Sequence, residues 1–385
     1  MKFICNSNEL MKRLSIVEKA ISSRSSLPVL ENVYFELENS VLTLRGHDLE
    51  LGIETTMPVQ DGVNGKCLIK AKTVSSIVAK FQNQTLVFEE DGQMVKITAD
   101  NRVDFNILGS LSNEYPVFPG LEDGVKVSLS VDDIKQLIQH TIFAVSSDET
   151  KHFLNGILVK NEGEDLVFVA TDGYRLSLRK HKFASIGSSF SVIIPYKAMN
   201  ECLKVLQQAK LDDVFEMTLS ENQVSFQLKD VLFVSRVIQG QFPDYNQVLP
   251  KETLNSFSVS RRAFLDACER ASIIAFSSNN VIRLVFSDDH LTIHANAPMG
   301  EFKESIQLSR LGGSGDARIA FNVRLILDSI KNLEMDDLKI SFNNELSPCI
   351  VQPVSDLDYT YIIMPIRTSE YQAREVEVEA SVTAS

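Results

Sequence analysis

No stretch of this 385-residue sequence is apolar for long enough to cross a bilayer. Runs such as YIIMPI (361–366) fall far short of the roughly 20 residues a spanning helix needs. The opening MKFICNSNEL lacks the unbroken apolar segment of a signal peptide, so the expected compartment is the cytoplasm. Cysteine is sparse: Cys5, Cys67, Cys202, Cys268 and Cys349 are odd in number, widely scattered and without a C-x-x-C pair. That spacing argues against disulfides and zinc ligation and predicts small buried hydrophobes in a reducing compartment. The glycine-rich LGGSGDA (311–317) lacks the Lys-Ser/Thr of a phosphate-binding loop and reads as a connection between strands. There is no G-x-S-x-G, and no cysteine has an evident base. His290 and His294 share one face of a predicted strand without a nearby third ligand, so no metal is expected there.

What the sequence has is a threefold repeat. FICN (3–6), VSLS (127–130) and FSVS (257–260) are short alternating strands, each followed by a helical pattern. Asn6, Ser130 and Ser260 are suited to cap those helices, with Glu9 and Asp133 three residues later as in a capping box. Leu10, Ile134 and Phe264 open the apolar faces, about 124 and 130 residues apart. LTLRGHD (42–48), LVFVATD (166–172) and LTIHANA (291–297) keep the same register. LIKAK (68–72), IIPYK (193–197) and IAFNV (319–323) then lead into second helices over KTVSSIVAKF, YKAMNECLKVL and NVRLILDSIKNL. The register also disposes of His47-Asp48 as a hydrolase signature, because Thr171-Asp172 and Asn296-Ala297 fill the same turn. Units of this length are too long for a solenoid. The expectation is an α+β domain repeated three times in tandem, in a closed or arc-like assembly.

Charge poses a contradiction. With 38 basic and 51 acidic residues the net is -13, which argues against coating nucleic acid nonspecifically. Yet the predicted helices carry Lys12, Arg13, Lys19, Lys72, Lys80, Lys135, Lys197, Lys204, Arg261, Arg262, Arg270, Arg324 and Lys331 away from their apolar stripes. Glu18, Glu201, Asp266 and Asp328 are mixed among them, so an ordinary solvated face remains open beside a positive stripe that follows a phosphate backbone. No signature of base readout is present. After Arg367, the stretch TSEYQAREVEVEASVTAS has four Glu against one Arg and little that could build a core, so 368–385 reads as an acidic, disordered tail.

Several stretches are more specific than any pattern: ATDGYRL (170–176), GQFPDYNQVLP (240–250), FLNG (153–156), LPVL after Arg24, and YIIMPIR (361–367). Together, and in order from Met1 to Arg367, they resemble the bacterial DNA polymerase III beta subunit, the replicative sliding clamp. The resemblance implies three alike clamp domains, placed at 1–124, 125–254 and 255–367, two chains closing head to tail into a ring, and duplex DNA passing through it. It implies tethering without catalysis and without a cofactor or metal. It also implies a pocket that receives short peptides from the replicative polymerase, the clamp loader, other polymerases and repair proteins. Matched residue by residue, the pocket would comprise Leu154, Thr171, Gly173, Tyr174, Arg175, Leu176, Pro243, Val248, Ile362, Met364, Pro365 and Arg367. DNA would meet Arg24, Lys72, Lys151, His152, Phe153, Lys197 and Lys204. Phe105 and Ile107 would pack on Ile273 and Ile274 of the second copy, unless these four are ordinary core.

Tyr174, Gln247 and Leu325 depart from the family pattern, so the pocket rim is expected to favour somewhat different peptides. The tail begins beside the pocket and is expected to screen it. Two other readings stay open: an enzyme would need a convergent polar site, and a cytoplasmic oligomeric scaffold without topological DNA binding would leave the basic helix faces unused.

Overall fold

The computed structural model describes residues 1–22, 27–99, 102–110, 112–183 and 189–367. Each expected helix forms: α1 (Ser7–Val17), α2 (Ala71–Val78), α3 (Val131–Gln139), α4 (Tyr196–Leu206), α5 (Arg261–Ala275) and α6 (Val323–Ile330). The odd-numbered three start where the sequence placed their caps. The Asn6 side chain accepts from the amides of Asn8 and Glu9, at 2.9 and 3.4 Å. The Ser130 hydroxyl accepts from Asp133 N and donates to the Asp133 carboxylate, at 3.1 and 2.5 Å. Ser260 accepts from Ala263 N at 3.5 Å. The capping box is incomplete at α1, where the Glu9 carboxylate takes Lys12 Nζ at 2.7 Å.

The chain forms two compact units, one from Met1–Lys135 with Ile186–Gln239, the other from Gln136–Ser185 with Gly240–Ser385. In the first unit, one antiparallel sheet runs in the order Gln60–Val63, Lys2–Asn6, Thr85–Asp91, Met94–Ala99, Val103–Leu108. A second runs Val125–Ser130, Val214–Leu219, Gln223–Leu228, Val231–Arg236, Leu51–Pro58, Val41–His47, Asn32–Glu38, Gly65–Lys70. α1 lies against Leu51–Pro58 and α2, burying Leu10, Leu14 and Val17.

In the second unit the strands follow Gly156–Glu162, Asp165–Thr171, Arg175–Lys182, Tyr359–Ile363, Cys349–Pro353, Asp337–Phe342, Asn255–Ser260. The order continues through Gly300–Gly312, His290–Ala297, Val281–Phe286 and Ala317–Asn322. The long strand Gly300–Gly312 serves two neighbours, pairing with Asn255–Ser260 near its end and with His290–Ala297 before that. α5 and α6 cover one face, where Phe257, Phe264, Phe286 and Phe342 are fully buried, Phe257 stacked on Phe286 at 4.5 Å.

The compact units cut across the sequence repeats. The middle repeat gives Val231–Arg236 to pair with Leu51–Pro58 of the first repeat, with Val234 opposite Gly52. It gives Arg175–Lys182 to pair with Tyr359–Ile363 of the third, with Leu176 opposite Ile362. Ladder hydrogen bonds do not respect repeat boundaries, and pairing an edge strand with a neighbour removes unsatisfied backbone groups.

Candidate functional site

The turn between Asp165–Thr171 and Arg175–Lys182 is held from several sides. Gly173 has φ of 92°, a conformation that excludes most side chains. The Asp172 carboxylate accepts from the amides of Tyr174 and Arg175, at 2.9 and 3.0 Å. The Thr171 hydroxyl accepts from Gly173 N at 3.1 Å and donates to Arg175 O at 2.6 Å. Arg175 then bridges outward, its Nε to Asp172 at 3.0 Å and its Nη1 to Asp328 on α6 at 2.7 Å, with its guanidinium 5.5 Å from the Phe143 ring centre. Burial pulls the Arg175 guanidinium's pKa down, but Tyr361, Asp328 and Asp172 more than offset it and leave it above its ordinary value.

That network frees Tyr174 for solvent. Its side chain is 69% exposed, while its carbonyl is fixed by Met364 N at 2.9 Å. Leu176 and Ile362, paired across the strands, are buried beneath, and Met364 beside them is 40% exposed. The structure thus brings Thr171, Gly173, Tyr174, Arg175, Leu176, Ile362 and Met364 into one patch, an apolar floor with exposed apolar groups over it. Pro365 is half-buried and Arg367 exposed as the chain runs on from there. Leu154 is buried at the end of the 3-10 turn Glu149–Leu154. Pro243 and Val248 lie exposed on a loop whose Tyr245 is buried, donating to Glu162 at 2.8 Å and lying 4.6 Å from Lys160 Nζ. Burial pushes the Glu162 carboxyl up, but Lys160 and Tyr245 outweigh it and hold it below the ordinary carboxylate range.

Sequence reasoning missed Asp328 and Phe143 as supports of Arg175. Asp328 is 153 residues away and carried no local signal beyond being one acid on a helix. It also missed His140, a buried imidazole packed 5.1 Å from Tyr359 whose backbone carbonyl accepts from the Ser177 hydroxyl. Burial and the nearby Arg179 push the His140 imidazole down to about 4.

The basic helix faces are less positive than a count of lysines implies. Lys12 pairs with Glu9, Arg13 with Asp230, Lys197 with Asp48, Lys204 with Glu201 at 2.6 Å, Arg270 with Glu304 and Lys331 with Glu269. Lys19 also reaches Glu201, at 3.7 Å, yet burial holds its ammonium below its ordinary pKa. Among the described residues, Lys72, Lys80, Lys135, Lys151 and Arg262 have no ion-pair partner. His152 and Phe153 sit edge to face at 5.7 Å, with His152 exposed. Arg24 lies outside the described residues.

Phe105 and Ile107 are half-buried on Val103–Leu108, the last strand of its sheet, with Val103 and Leu108 exposed on either side. Ile273 is 68% exposed on α5, as is Phe276 just beyond it, while Ile274 packs partly onto the core. Ordinary core therefore does not describe Ile273, while Phe105 also packs edge-on against Phe81, ring centres 6.1 Å apart. His47, by contrast, is buried against Tyr115 and Phe118 and bonds to Pro116 O. His290 Nδ1 lies 2.6 Å from the exposed Asp289. Among the described residues no group of three or more His, Cys, Asp or Glu could hold a metal, and no helix is long and apolar enough to cross a membrane.

Sequence models of the DNA polymerase III beta subunit match the chain in order: the N-terminal domain over 1–119, the central domain over 128–244 and the C-terminal domain over 246–367. The beta sliding clamp of Bacillus subtilis strain 168 is 31% identical over 380 residues, spanning 96% of this chain and all of that protein. That of Synechococcus elongatus is 31% identical over 95% of this chain and 99% of its own. The crystal structure of the Bacillus subtilis clamp superposes with a TM-score of 0.89 at 30% identity, over 96% and 99% of the two chains. The Pseudomonas aeruginosa beta subunit does so with a TM-score of 0.89 at 26% identity, over 96% and 100%. From its three in-register repeats to its strand-paired domains, this chain belongs to the DNA polymerase III beta subunit family, the bacterial beta sliding clamps.

Proposed function

We propose that two copies of this chain close head to tail into a ring that encircles duplex DNA and tethers the replicative polymerase to it. The observation that carries the reading is the match of all three beta-subunit domains, in order, across the chain from 1 to 367. Two exposed apolar surfaces support self-association: the unpaired edge around Phe105 and Ile107, and the α5 surface around Ile273 and Ile274. In a head-to-tail dimer each would be covered by the other surface of the second copy, which removes both apolar area and an open strand edge from water.

Lys72, Lys151, His152, Lys197 and Lys204, all exposed, with half-buried Phe153 and with Arg24, form the DNA-facing set in this reading. Lys197 and Lys204 are about half exposed, so their ammonium groups can turn from Asp48 and Glu201 toward a phosphate. Contacts to phosphate alone hold DNA without reading sequence, which suits a ring that slides. Tethering makes and breaks no bond, and the reading assigns no catalytic residue, metal or cofactor.

The patch around Tyr174, with Leu154, Pro243, Val248, Pro365 and Arg367, is the receptor for short linear peptides from the polymerase, the clamp loader and repair proteins. A buried floor of Leu176 and Ile362 under exposed Tyr174, Val248 and Met364 fits a few apolar anchors. The domains take the limits 1–124, 125–254 and 255–367, and the working compartment is the cytoplasm. The test is retention on DNA after loading by a cognate clamp loader with ATP. Retention on circular duplex with loss from linear ends is the expected result; equal loss from both would return the scaffold reading to first place.

A further inference from the structure

The second unit carries a cleft of about 760 Å³ that shares only Arg367 with the residues assigned to the Tyr174 patch. It lies on the face of the strands Val281–Phe286, His290–Ala297 and Ala317–Asn322 turned away from α5, because Ile282, Leu284 and Phe286 fill the helix-covered side and their neighbours alternate outward. Arg283, Lys303, Arg318 and Arg367 line it against two carboxylates, Glu301 and Glu345. Lys303, Arg318 and Arg367 have no ion-pair partner among the described residues. The strand Ala317–Asn322 ends the sheet, and at that open edge Ile366 N donates to Ala320 O at 2.8 Å. Ile366 and Arg367 are thus part of the cleft's lining.

The sequence beyond Arg367 is complementary to the cleft in charge. Residues 368–385 hold four Glu against one Arg, and Glu375-Val376-Glu377-Val378-Glu379 alternate with the period of a strand, so that one face would carry three carboxylates. We propose that this segment docks in the cleft of its own chain, its glutamates against Arg318, Lys303 and Arg283. Reach is sufficient: eight residues separate Arg367 from Glu375, about 26 Å when extended, against about 14 Å across four adjacent strands. A short tether supplies an effective concentration of about 1 mM, so an affinity no better than millimolar already keeps the cleft half occupied. The docking leaves the clamp reading untouched and would hold the segment on the sheet edge rather than over the Tyr174 patch.

Hydrogen exchange by mass spectrometry on the full chain and on a chain ending at Arg367 tests this. In the full chain at low salt, amides of Ala317–Asn322 exchange at least about twofold more slowly than in the shortened one, as half occupancy requires. The difference shrinks at 0.5 M salt, where the screening length falls below about 5 Å. Glu375→Lys/Glu377→Lys/Glu379→Lys, which alters no described residue, reproduces the shortened chain, and so does Arg318→Glu at an exposed position. Equal exchange in both chains overturns the proposal. So does protection that grows with protein concentration, which assigns the cleft to a second copy, or protection confined to 171–176 and 361–364, which places the segment over the peptide patch.

Discussion

The turn at Tyr174 and the basic helix faces fix their side chains in opposite ways. At the turn, two carboxylates, a hydroxyl and a ring hold Arg175 and the backbone so that one large aromatic is presented in a set position. On the helices, lysines on long stems meet a carboxylate one turn away, as Lys12 and Lys204 do, a carboxylate from another segment, as Lys197 and Lys331 do, or none among the described residues. In the proposed roles, a surface that discriminates between peptides gains from a fixed geometry, whereas a surface that slides along any sequence gains from charges that exchange partners easily.

The sharpest way to break the contrast is Arg175→Ala. It removes two ion pairs and leaves the mostly buried Asp172 without its cation, and the expected loss is about 2–4 kcal/mol, read as a drop in melting temperature together with loss of peptide binding. An Arg175→Ala chain that melts like the parent would show that the network does not hold the turn.

The same region should be acid-sensitive through His140. Its folded pKa near 4 lies below the ordinary 6.5, so the unfolded chain takes up the proton first as pH falls. Stability from this group is intact above about 6.5, declines toward pH 4 and levels off below, a loss on the order of 3 kcal/mol. His140→Gln should flatten that part of the profile, checked by thermal melting from pH 7 to 4.

Tyr174→Ala separates presentation from stability. An exposed side chain contributes within about 0.5 kcal/mol to folding, so melting should be unchanged. Affinity for a peptide from the polymerase catalytic subunit should fall roughly tenfold, measured by fluorescence anisotropy. Lys72→Ala with Lys151→Ala probes the other region, where the expected effect is smallest per residue. Retention on circular DNA should shorten, and the salt slope should fall by about one per phosphate contact removed. Lys204→Ala, which removes one of the two cations beside Glu201, should change it less.

The α+β class, the six helix starts and the three-part organisation were legible in the sequence because they rest on local rules. Alternation, apolar stripes and side-chain caps such as Asn6 and Ser260 act within a few residues. The Asp172-Gly173 turn was legible for the same reason, whereas Tyr174 and Leu176 beside it were singled out only by the family resemblance. By contrast, the charge on the helix faces was not legible from counting lysines, because Asp230 and Asp48 reach Arg13 and Lys197 from turns far away in the sequence.

By itself, then, the sequence determined which segments become strands and helices, where they begin, and that one plan is used three times. Only the tertiary structure decided that the middle repeat shares its sheets with both neighbours, that Asp328 and Phe143 support Arg175, and that the chain runs past Pro365 onto the open edge at Ala320. Periodicity and capping depend on neighbours in the chain. Which strand edge meets which, and which carboxylate finds which cation, depends on burial and pairing between residues tens to hundreds of positions apart.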